Sequence, residues 1–319
     1  MAKMLIMMSK TEKTQNQPEH NFFMQNNNAK IIEIFDRNLV RRNRNRAAPT
    51  FGNYDFLINR VNADLIDRLQ DIKRTFPKTL LMGGRGFKDS SLTNISGIQD
   101  LVIMDLAENF LDPDALSIQG DEEYLPFAPE TFDLILSPLS LHTTNDMPGA
   151  LIQMNRALKP DGVCLAALLG GETLYELRQV MMQAEMKIRR GAGSHIAPFA
   201  DKQQIGSLMQ RGGFALPVVD SEIITVSYKN VRSLMQDLRG MGEGNSLKER
   251  GKPLNKTFMA EIETLYHKNF PEENGRIRAT FEIIFLIGWS PHQSQQKPLR
   301  PGSAKTRLAD ALETKEIRT

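Results

Sequence analysis

A glycine turn and a carboxylate that follows it are the residues of this sequence best suited to ligand chemistry. Gly84 and Gly86 lie in a turn after the short apolar run 79–82, and a second apolar run, 101–104, ends on Asp105. Glycine has no Cβ, so the backbone of such a turn can pass close to a ligand. Asp105 follows Gly84 by 21 residues, and nucleotide-binding α/β folds place an acid against a ribose diol at about that separation. The pattern predicts a nucleoside site, with a plain strand-to-helix turn as the alternative.

Several other chemical motifs are missing from the sequence. The glycine turn matches neither G-x-G-x-x-G nor G-x-x-x-x-G-K-[ST], which excludes a dinucleotide fingerprint and a P-loop. No Ser/His/Asp triad or H-E-x-x-H pattern is readable, and the five histidines are scattered. The single cysteine, Cys164, excludes an internal disulfide and a cysteine-based zinc site. The sequence therefore predicts no metal centre.

Two further polar residues follow predicted strands. Asp121 comes after the third predicted strand, 115–119, and His142 comes after the fourth, 131–137. The carboxyl ends of the strands in an open α/β sheet line the ligand crevice. Asp121 is expected either to accept a hydrogen bond from an adenine amino group or to shape a turn. His142 is expected either to face a substrate or to be a packed or solvent-bonded histidine.

Strands and helices alternate along the segments that would position these residues. Predicted strands cover residues 79–82, 101–104, 115–119, 131–137, 163–169, 214–226 and 280–289. Predicted helices begin near residue 29 and also cover about 54–74, 147–158, 174–190, 201–210, 231–238 and 258–270. This alternation argues for an α/β fold with a parallel sheet and right-handed crossovers.

The first predicted helix carries a dense group of arginines. They are Arg37, Arg41, Arg42, Arg44 and Arg46. A solvated helix face is one interpretation of such a run. A site for an anion or an acidic partner is the other.

Composition bounds the kind of protein. The chain has 319 residues with a formal net charge of +2, and the near balance of charge argues against a dedicated nucleic-acid binder. No run of 18 or more apolar residues occurs, so we expect no transmembrane segment. The N-terminus lacks the pattern of a signal or transit peptide, so we expect an intracellular, reducing compartment. We expect three parts. They are a disordered N-terminal tail (1–28), one domain (29–290, with a nucleoside-binding core at about 78–170 and substrate or partner helices at about 172–270) and a polar C-terminal tail (291–319).

The landmarks taken together resemble a class I S-adenosylmethionine-dependent methyltransferase. The matching segments are the glycine turn, Asp105, 121–127, 132–137 and 158–162. The resemblance implies a Rossmann-like fold with a seven-stranded, mostly parallel sheet whose last strand is antiparallel. It also implies S-adenosyl-L-methionine as cofactor. Carried over by position, the cofactor-binding residues would be Gly84 and Gly86 at the methionine end, Asp105 on the ribose diol, Asp121 on the adenine amino group, and also Leu106 and Ser137.

A narrower resemblance covers about residues 31 to 304. It is to the methyltransferase-like assembly factor of respiratory complex I, an arginine-hydroxylase family of mitochondria and related bacteria. The segments that carry it are 34–37, 46–48, 139–142, 170–178, 237–243 and 287–289. The blocks 170–178 and 237–243 are the most specific. The malonyl-[acyl-carrier-protein] methyltransferase of biotin synthesis is similar at a greater distance.

The family implies an enzyme that modifies a protein side chain, with a complex I subunit as the implied partner. We expect a methyltransferase-fold enzyme, with an arginine hydroxylase on the same fold or a non-catalytic assembly factor as alternatives. The expected location is the cytoplasm in a bacterium or the mitochondrial matrix in a eukaryote. Substrate-side candidates are His142, Tyr175, Arg178 and Glu243.

The glycine turn departs from the family's pattern. The family has an acid where Leu80 stands and a glycine where Met82 stands, and it has a tryptophan where Thr143 stands; Pro138 also ends the fourth strand. A methionine side chain needs space. Met82 is therefore expected either to turn into the packing between sheet and helices or to project toward the methionine end of the cofactor.

Overall fold

A seven-stranded sheet organises the part of the chain that the structure describes. The computed structural model describes residues 32–85, 92, 97–191 and 193–296, together with 302, 303, 306 and 310. The strands are β1 (Lys78–Met82), β2 (Asp100–Asp105), β3 (Ser117–Gln119), β4 (Phe132–Pro138), β5 (Leu158–Leu169), β6 (Ala215–Tyr228) and β7 (Ile277–Trp289). Their order across the sheet is β3-β2-β1-β4-β5-β7-β6.

Strand direction confirms the predicted fold class. Strands β1 to β5 pair in parallel, with Leu80 opposite Val102 on one side and Ile135 on the other. Strand β7 is antiparallel to both of its neighbours, β5 and β6. Strand β5 begins at Leu158, five residues before the predicted strand, so the predicted turn at 159–162 lies within it. The irregular backbone there includes Asp161 at a φ of 64°.

Helices cover both faces of the sheet. They are α1 (Arg37–Ala47), α2 (Phe56–Gln70), α3 (Met147–Ala157), α4 (Tyr175–Ala184), α5 (Lys202–Arg211), α6 (Val231–Gly240) and α7 (Lys256–Asn269). A π-helical segment, Glu185–Arg189, continues α4. Aspartate side chains cap three of the helices, and at α5 Asp201 and Gln204 form a complete capping box. In the described part of the chain, no helix combines the length and the apolar character needed to cross a membrane.

The start of the first helix corrects the sequence-based prediction. A helix from near residue 29 is wrong for the described residues, because α1 begins at Arg37. The Asp36 side chain accepts a hydrogen bond from the backbone N–H of Leu39, which ends the helix on its N-terminal side. Phe35 instead forms a β-bridge with Leu247. The predicted disordered tail, 1–28, lies outside the described residues, as does most of the predicted polar tail 291–319.

Alternating residues of the strands divide the core into two layers. One layer contains Leu81 and packs against α2, α4, α6 and α7; the other contains Leu80 and packs against α3 and α5. Met82 lies in the second layer and is completely buried. Of its two expected orientations, the structure has the one turned into the sheet–helix packing. Cys164 lies in the same layer, and burial raises the pKa of its thiol to about 12.

Candidate functional site

The glycine turn after β1 is built for close backbone approach. Gly83 has a φ of 68° and donates its N–H to the carbonyl oxygen of Met104 at 2.8 Å. A Cβ on Gly83 would lie 2.4 Å from the Cβ of Ser140, so only glycine fits. A Cβ on Gly84 would lie 2.5 Å from the side chain of Leu81. The predicted cofactor residue Gly86 lies outside the described residues.

Asp105 ends β2 beside this turn and keeps one carboxylate oxygen free. Its Oδ1 accepts a hydrogen bond from the backbone N–H of Ala107 at 2.8 Å. Its Oδ2 is buried and has no partner among the described residues. Burial raises the pKa of Asp105, although Arg44 and Arg85 act in the opposite direction. A buried acceptor without a partner suits a ligand hydroxyl, so Asp105 fits the predicted ribose contact.

Two arginines of α1 reach the same edge of the sheet. Arg44 is 1% exposed; its Nη1 donates to Glu122 Oε1 at 2.9 Å and lies 3.8 Å from Asp105 Oδ1. Arg37 lies seven residues earlier, two helical turns away, and so shares a face with Arg44. It donates to Asp121 and also to Glu122. The interpretation of the arginine run as a solvated face is therefore wrong for these two residues, although Arg42 is exposed.

Electrostatics at this edge favours ionised partners. Burial alone would raise the pKa of Glu122, but the guanidinium groups of Arg44 and Arg37 outweigh it and lower that pKa to about 2. The pKa of Arg44 is raised, because Glu122 and Asp105 outweigh the effect of its burial. Each partner thus holds the other in its charged form.

Asp121 is already engaged by the protein. Its Oδ1 accepts from Arg37 Nη2 at 2.6 Å and from the backbone N–H of Glu123 at 2.9 Å, while its Oδ2 accepts from Arg37 Nε at 3.2 Å. The proposed contact with an adenine amino group stays a prediction. A cavity of about 270 Å³ adjoins it and is lined by Arg37, Asn38, Arg41, Leu106, Gln119, Gly120 and Asp121.

Ser137, the last predicted cofactor residue, lies deeper. It is completely buried near the carboxyl end of β4. Its Oγ lies 2.8 Å from the Oγ of Ser140, and either hydroxyl can be the donor. Ser140 is also the residue that packs against Gly83. Ser137 therefore supports the glycine turn through Ser140.

A larger cavity, of about 570 Å³, lies between α4, α6 and the loops that follow β4, α4 and α6. Its volume is in the range of small-molecule and side-chain binding pockets. Much of its wall is apolar and comes from Phe35, Leu174, Leu177, Met181, Ile196, Phe199, Met235, Leu238 and Leu254. The polar side chains of the lining include His142, Thr143, His195, Glu243, Asn245 and Ser246. The exposed cations Arg239, Arg250 and Lys252 line it as well.

A hydrogen-bonded chain joins this cavity to the glycine turn. Arg85, the residue after Gly84, donates from Nη1 to Glu243 Oε1 at 3.0 Å. The other oxygen of Glu243 lies 3.0 Å from His142 Nε2. Burial would raise the pKa of Glu243, but His142 and Arg85 hold it well below its usual range. His142 Nδ1 is buried without a partner among the described residues. His142 and Glu243, predicted from separate segments, are thus brought together.

The other two substrate-side candidates lie elsewhere. Arg178 donates to the carbonyl oxygens of Gly171 at 3.2 Å and Thr173 at 3.0 Å, which closes the loop before α4. The ring of Tyr175 packs edge-on against Phe270, with centroids 5.8 Å apart. Among the described residues that line the larger cavity, neither Arg178 nor Tyr175 occurs. Their assignment to the substrate side stays a prediction that these contacts do not support.

Sequence reasoning assigns no role to two residues of the site, Arg85 and His195. It places Arg37 and Arg44 only in a run of arginines, for which a solvated face and a site for an anion or an acidic partner are both open. The partners of these four residues are 10 to 158 residues away in the chain. No local motif relates such distant positions. A seven-residue spacing of two arginines on one helix face was the available signal for Arg37 and Arg44.

Comparison with known proteins agrees with this geometry. A family model described as a methyltransferase domain matches residues 84–166. The chain resembles a structure from Bacillus halodurans C-125 described as a methyltransferase, with a TM-score of 0.50 and 16% identity over 72% of this chain and 100% of that one. The matched family model and the sheet topology define the class, which is the class I methyltransferase superfamily with its Rossmann-like fold.

Sequence relatives narrow the class to a family. The chain is 38% identical to "Arginine-hydroxylase NDUFAF5, mitochondrial" of Danio rerio, over 88% of this chain and 89% of the relative. It is 29% identical to the malonyl-[acyl-carrier protein] O-methyltransferase of Gallionella capsiferriformans, over 81% of this chain and 92% of the relative. Because the Danio rerio relative is 38% identical over 89% of its length, the chain belongs to the NDUFAF5 arginine-hydroxylase family. The resemblance found in the sequence is confirmed.

Proposed function

We propose that this protein is an S-adenosylmethionine-binding enzyme that modifies an arginine side chain of a protein. The supporting observation is the chain of contacts from the glycine turn through Arg85 and Glu243 to His142 in the larger cavity. A cofactor at the glycine turn would lie at the Arg85 end of these contacts, and a substrate side chain in the cavity would lie at the His142 end. The name of the relatives favours hydroxylation as the reaction, and the fold class favours methyl transfer as its alternative.

The residues at the turn fit the cofactor. Asp105 would hold the ribose through its free Oδ2, and the Gly83–Gly84 backbone would pass along the methionine end. Five carboxylates (Asp105, Asp121, Glu122, Glu123 and Glu243) meet three guanidinium groups (Arg37, Arg44 and Arg85) at this edge. These contacts place carboxylate acceptors and guanidinium donors side by side where the cofactor would lie. S-adenosylmethionine, when bound, supplies an activated sulfonium group.

The residues of the cavity provide a hydrogen-bond acceptor for the substrate. A neutral imidazole has one donor and one acceptor nitrogen. If the neutral ring of His142 donates Nε2–H to Glu243, its Nδ1 is left as a buried acceptor without a partner, in a residue that lines the cavity. A guanidinium group carries five N–H donors and no acceptor. His142 would therefore orient an arginine side chain, while the apolar wall would cover its methylene groups.

The partner and the location follow from the same family. We propose a subunit of respiratory complex I as the protein substrate, in the mitochondrial matrix if the chain is eukaryotic and in the cytoplasm if it is bacterial. The relatives are named mitochondrial, which supports the first location. We also propose that residues 29–290 act as one domain between two tails.

Calorimetry followed by mass spectrometry tests the proposal. S-adenosylmethionine should bind the purified chain. The complex I subunit is then incubated with the chain and S-adenosylmethionine, and for the hydroxylation arm also with dioxygen and a two-electron reductant, because insertion of one oxygen atom leaves the other to be reduced to water. An arginine of the subunit should gain one oxygen or one methylene group. A gain of oxygen identifies a hydroxylase, and a gain of methylene identifies a methyltransferase. Absence of modification despite cofactor binding would refute the enzymatic proposal.

One observation favours a second candidate, a non-catalytic assembly factor. Arg37 occupies both oxygens of Asp121, and Arg44 binds Glu122 beside Asp105. A protein that no longer needed the cofactor could retain its fold through such ion pairs. Lack of S-adenosylmethionine binding, together with retained binding to the complex I subunit, would select this candidate.

A further inference from the structure

We propose that His195, held by Glu185, is a second substrate-binding residue of the larger cavity and that it accepts a hydrogen bond from the same guanidinium group as His142. This inference rests on the proposed function and extends it to specificity for arginine over lysine. It assigns a role to a histidine–glutamate pair that lies outside every motif recognised in the sequence.

Glu185 is fixed in the π-helical segment after α4. It is 3% exposed, and its Oε1 lies 2.6 Å from His195 Nε2 and 2.5 Å from Arg189 Nη1. π-Helical turns within helices occur frequently at functional sites. Burial would raise the pKa of Glu185, but the hydrogen bonds from His195 and Arg189 outweigh it and lower that pKa. Glu185 is therefore an acceptor that holds the ring of His195 in place.

The imidazole ring of His195 is held on its other sides as well. Its centroid lies 5.6 Å from that of Phe258. A Cβ on Gly251 would lie 2.6 Å from the ring, so the loop backbone packs directly against it. The side chain is 7% exposed and lines the cavity. A ring with these contacts has a defined orientation relative to the cavity.

The pairing with Glu185 sets the hydrogen-bonding character of the ring. A carboxylate only accepts, so Nε2 of His195 carries a proton, and in the neutral tautomer Nδ1 is then an acceptor. Among the described residues, Nδ1 of His195 has no hydrogen-bond partner. His142 is oriented in the same way by Glu243, and its Nδ1 also lacks a partner.

Two oriented imidazole acceptors on one cavity select a ligand with several donors. The guanidinium of arginine presents five donors in a rigid plane, so it can reach two separate acceptors. The ammonium of lysine is a compact and strongly hydrated point charge. The cations Arg239, Arg250 and Lys252 also line the cavity, but they are exposed. Water and salt screen charges at such positions, and the direct contacts of the interior decide the specificity.

The test distinguishes the role of His195 Nδ1, the proposed acceptor for the substrate, from that of Nε2, which contacts Glu185. In His195→Gln the amide takes the place of Nε2 and can still donate to Glu185, but no acceptor remains at Nδ1. In His195→Asn the amide oxygen lies near the former Nδ1. The matched control is His267→Gln, because His267 Nε2 also pairs with a glutamate, Glu263, at 3.3 Å and does not line the cavity.

The probes are Nα-acetyl-L-arginine amide and Nα-acetyl-L-lysine amide, titrated by NMR against the full chain with S-adenosylmethionine. Wild type should bind the arginine probe more tightly. His195→Gln should weaken its binding about tenfold or more, as for one lost hydrogen bond to a charged group, and should not change the melting temperature or the cofactor affinity. His195→Asn should restore part of the binding, and His267→Gln should have no effect.

The possible results separate this inference from the proposed function. If wild type binds the arginine probe and His195→Gln binds it equally well, the inference is wrong while the arginine substrate stands. If His195→Gln lowers the melting temperature and cofactor affinity along with probe binding, and Asn does not rescue it, His195 is only structural. If wild type does not prefer the arginine probe, both the inference and the proposed substrate class fail.

Discussion

Asp105 shows how a single residue can be buried and still be available to a ligand. It is 1% exposed, yet only its Oδ1 is used by the protein. Its neighbour Asp121 is more exposed but has both oxygens bound to Arg37. The free oxygen, rather than the exposure of the side chain, is what favours Asp105 over Asp121 as the proposed ribose contact.

Replacement of Asp105 by alanine should reduce the affinity for S-adenosylmethionine at least tenfold. A hydrogen bond to a charged group contributes about 1.5–3 kcal/mol, and Asp105 would supply the ribose contact. The fold should survive, because Arg44 retains its shorter contact with Glu122. Calorimetry measures the affinity, and circular dichroism checks the fold. Unchanged affinity in a folded variant would show that Asp105 does not bind the ribose.

Met82 leads to a prediction about stability rather than affinity. Its side chain is completely buried beside Leu80 and Met104. Met82→Gly should destabilise the protein by about 3–5 kcal/mol, because a core cavity and a flexible residue are both introduced. Cofactor affinity should stay the same. Urea unfolding and calorimetry measure the two quantities, and a tighter cofactor complex would mean that Met82 obstructs the site after all.

Helix α1 packs against the edge of the sheet that carries Asp105, Asp121 and Glu122. Asp36 caps it, and its inner face carries Leu39, Val40 and Arg44. The alternation of buried and exposed arginines along α1 follows the helical repeat. The helix therefore packs by buried ion pairs in addition to apolar side chains.

Replacement of Arg44 by methionine should lower stability by about 3–5 kcal/mol, because Glu122 would lose a buried partner. Arg42→Met is the matched control on the same helix; Arg42 is exposed, and such changes alter stability by about 0.5 kcal/mol or less. Chemical denaturation of both variants gives the comparison. Equal stability of the two would show that the ion pair with Glu122 contributes little.

At the scale of the whole molecule, the sheet brings distant segments to one edge. Strand β7 lies between β5 and β6, and the loop after α6 contacts the residues that follow β1 and β4. Glu243 thereby reaches Arg85, 158 residues earlier, and His142, 101 residues earlier. The stability of the whole fold is consequently coupled to the ionisation of this edge.

Acid should destabilise the protein through Glu122. Its pKa is about 2 in the folded chain against an ordinary value of 4.5. The stabilisation from this depressed pKa is present above about pH 4.5 and is lost as the pH falls toward 2. Glu122→Gln should flatten that part of the curve of melting temperature against pH, while lowering the melting temperature near pH 7. Glu108→Gln, at an exposed carboxylate, should leave the curve unchanged.

If Glu122→Gln loses stability between pH 4.5 and 2 as steeply as wild type, other carboxylates govern the acid transition. Glu243 would be the next to consider, because His142 and Arg85 also hold its pKa below the usual range.

The fold class was predictable from local patterns in the sequence, and the cofactor-site residues stay predictions. Short apolar runs, glycine turns and helical periodicity are local signals, so the strands and most helices were predicted to within a few residues. Asp105 was predictable because its distance from the glycine turn is a property of one strand–helix–strand unit. The N-terminal boundary of α1 was missed, because the cap of Asp36 and the bridge from Phe35 to Leu247 override the apolar pattern.

Which charged side chains form ion pairs depends on the tertiary structure. Ion pairs form between side chains that are adjacent in space, and nothing in the spacing of Arg44 and Glu122, or of Glu185 and His195, indicates that they touch. The orientation of Met82 was also open, because a side chain at the end of a strand can turn to either side until the helices are packed. Packing placed it in the core, joined His142 to Glu243 and put His195 on the same cavity.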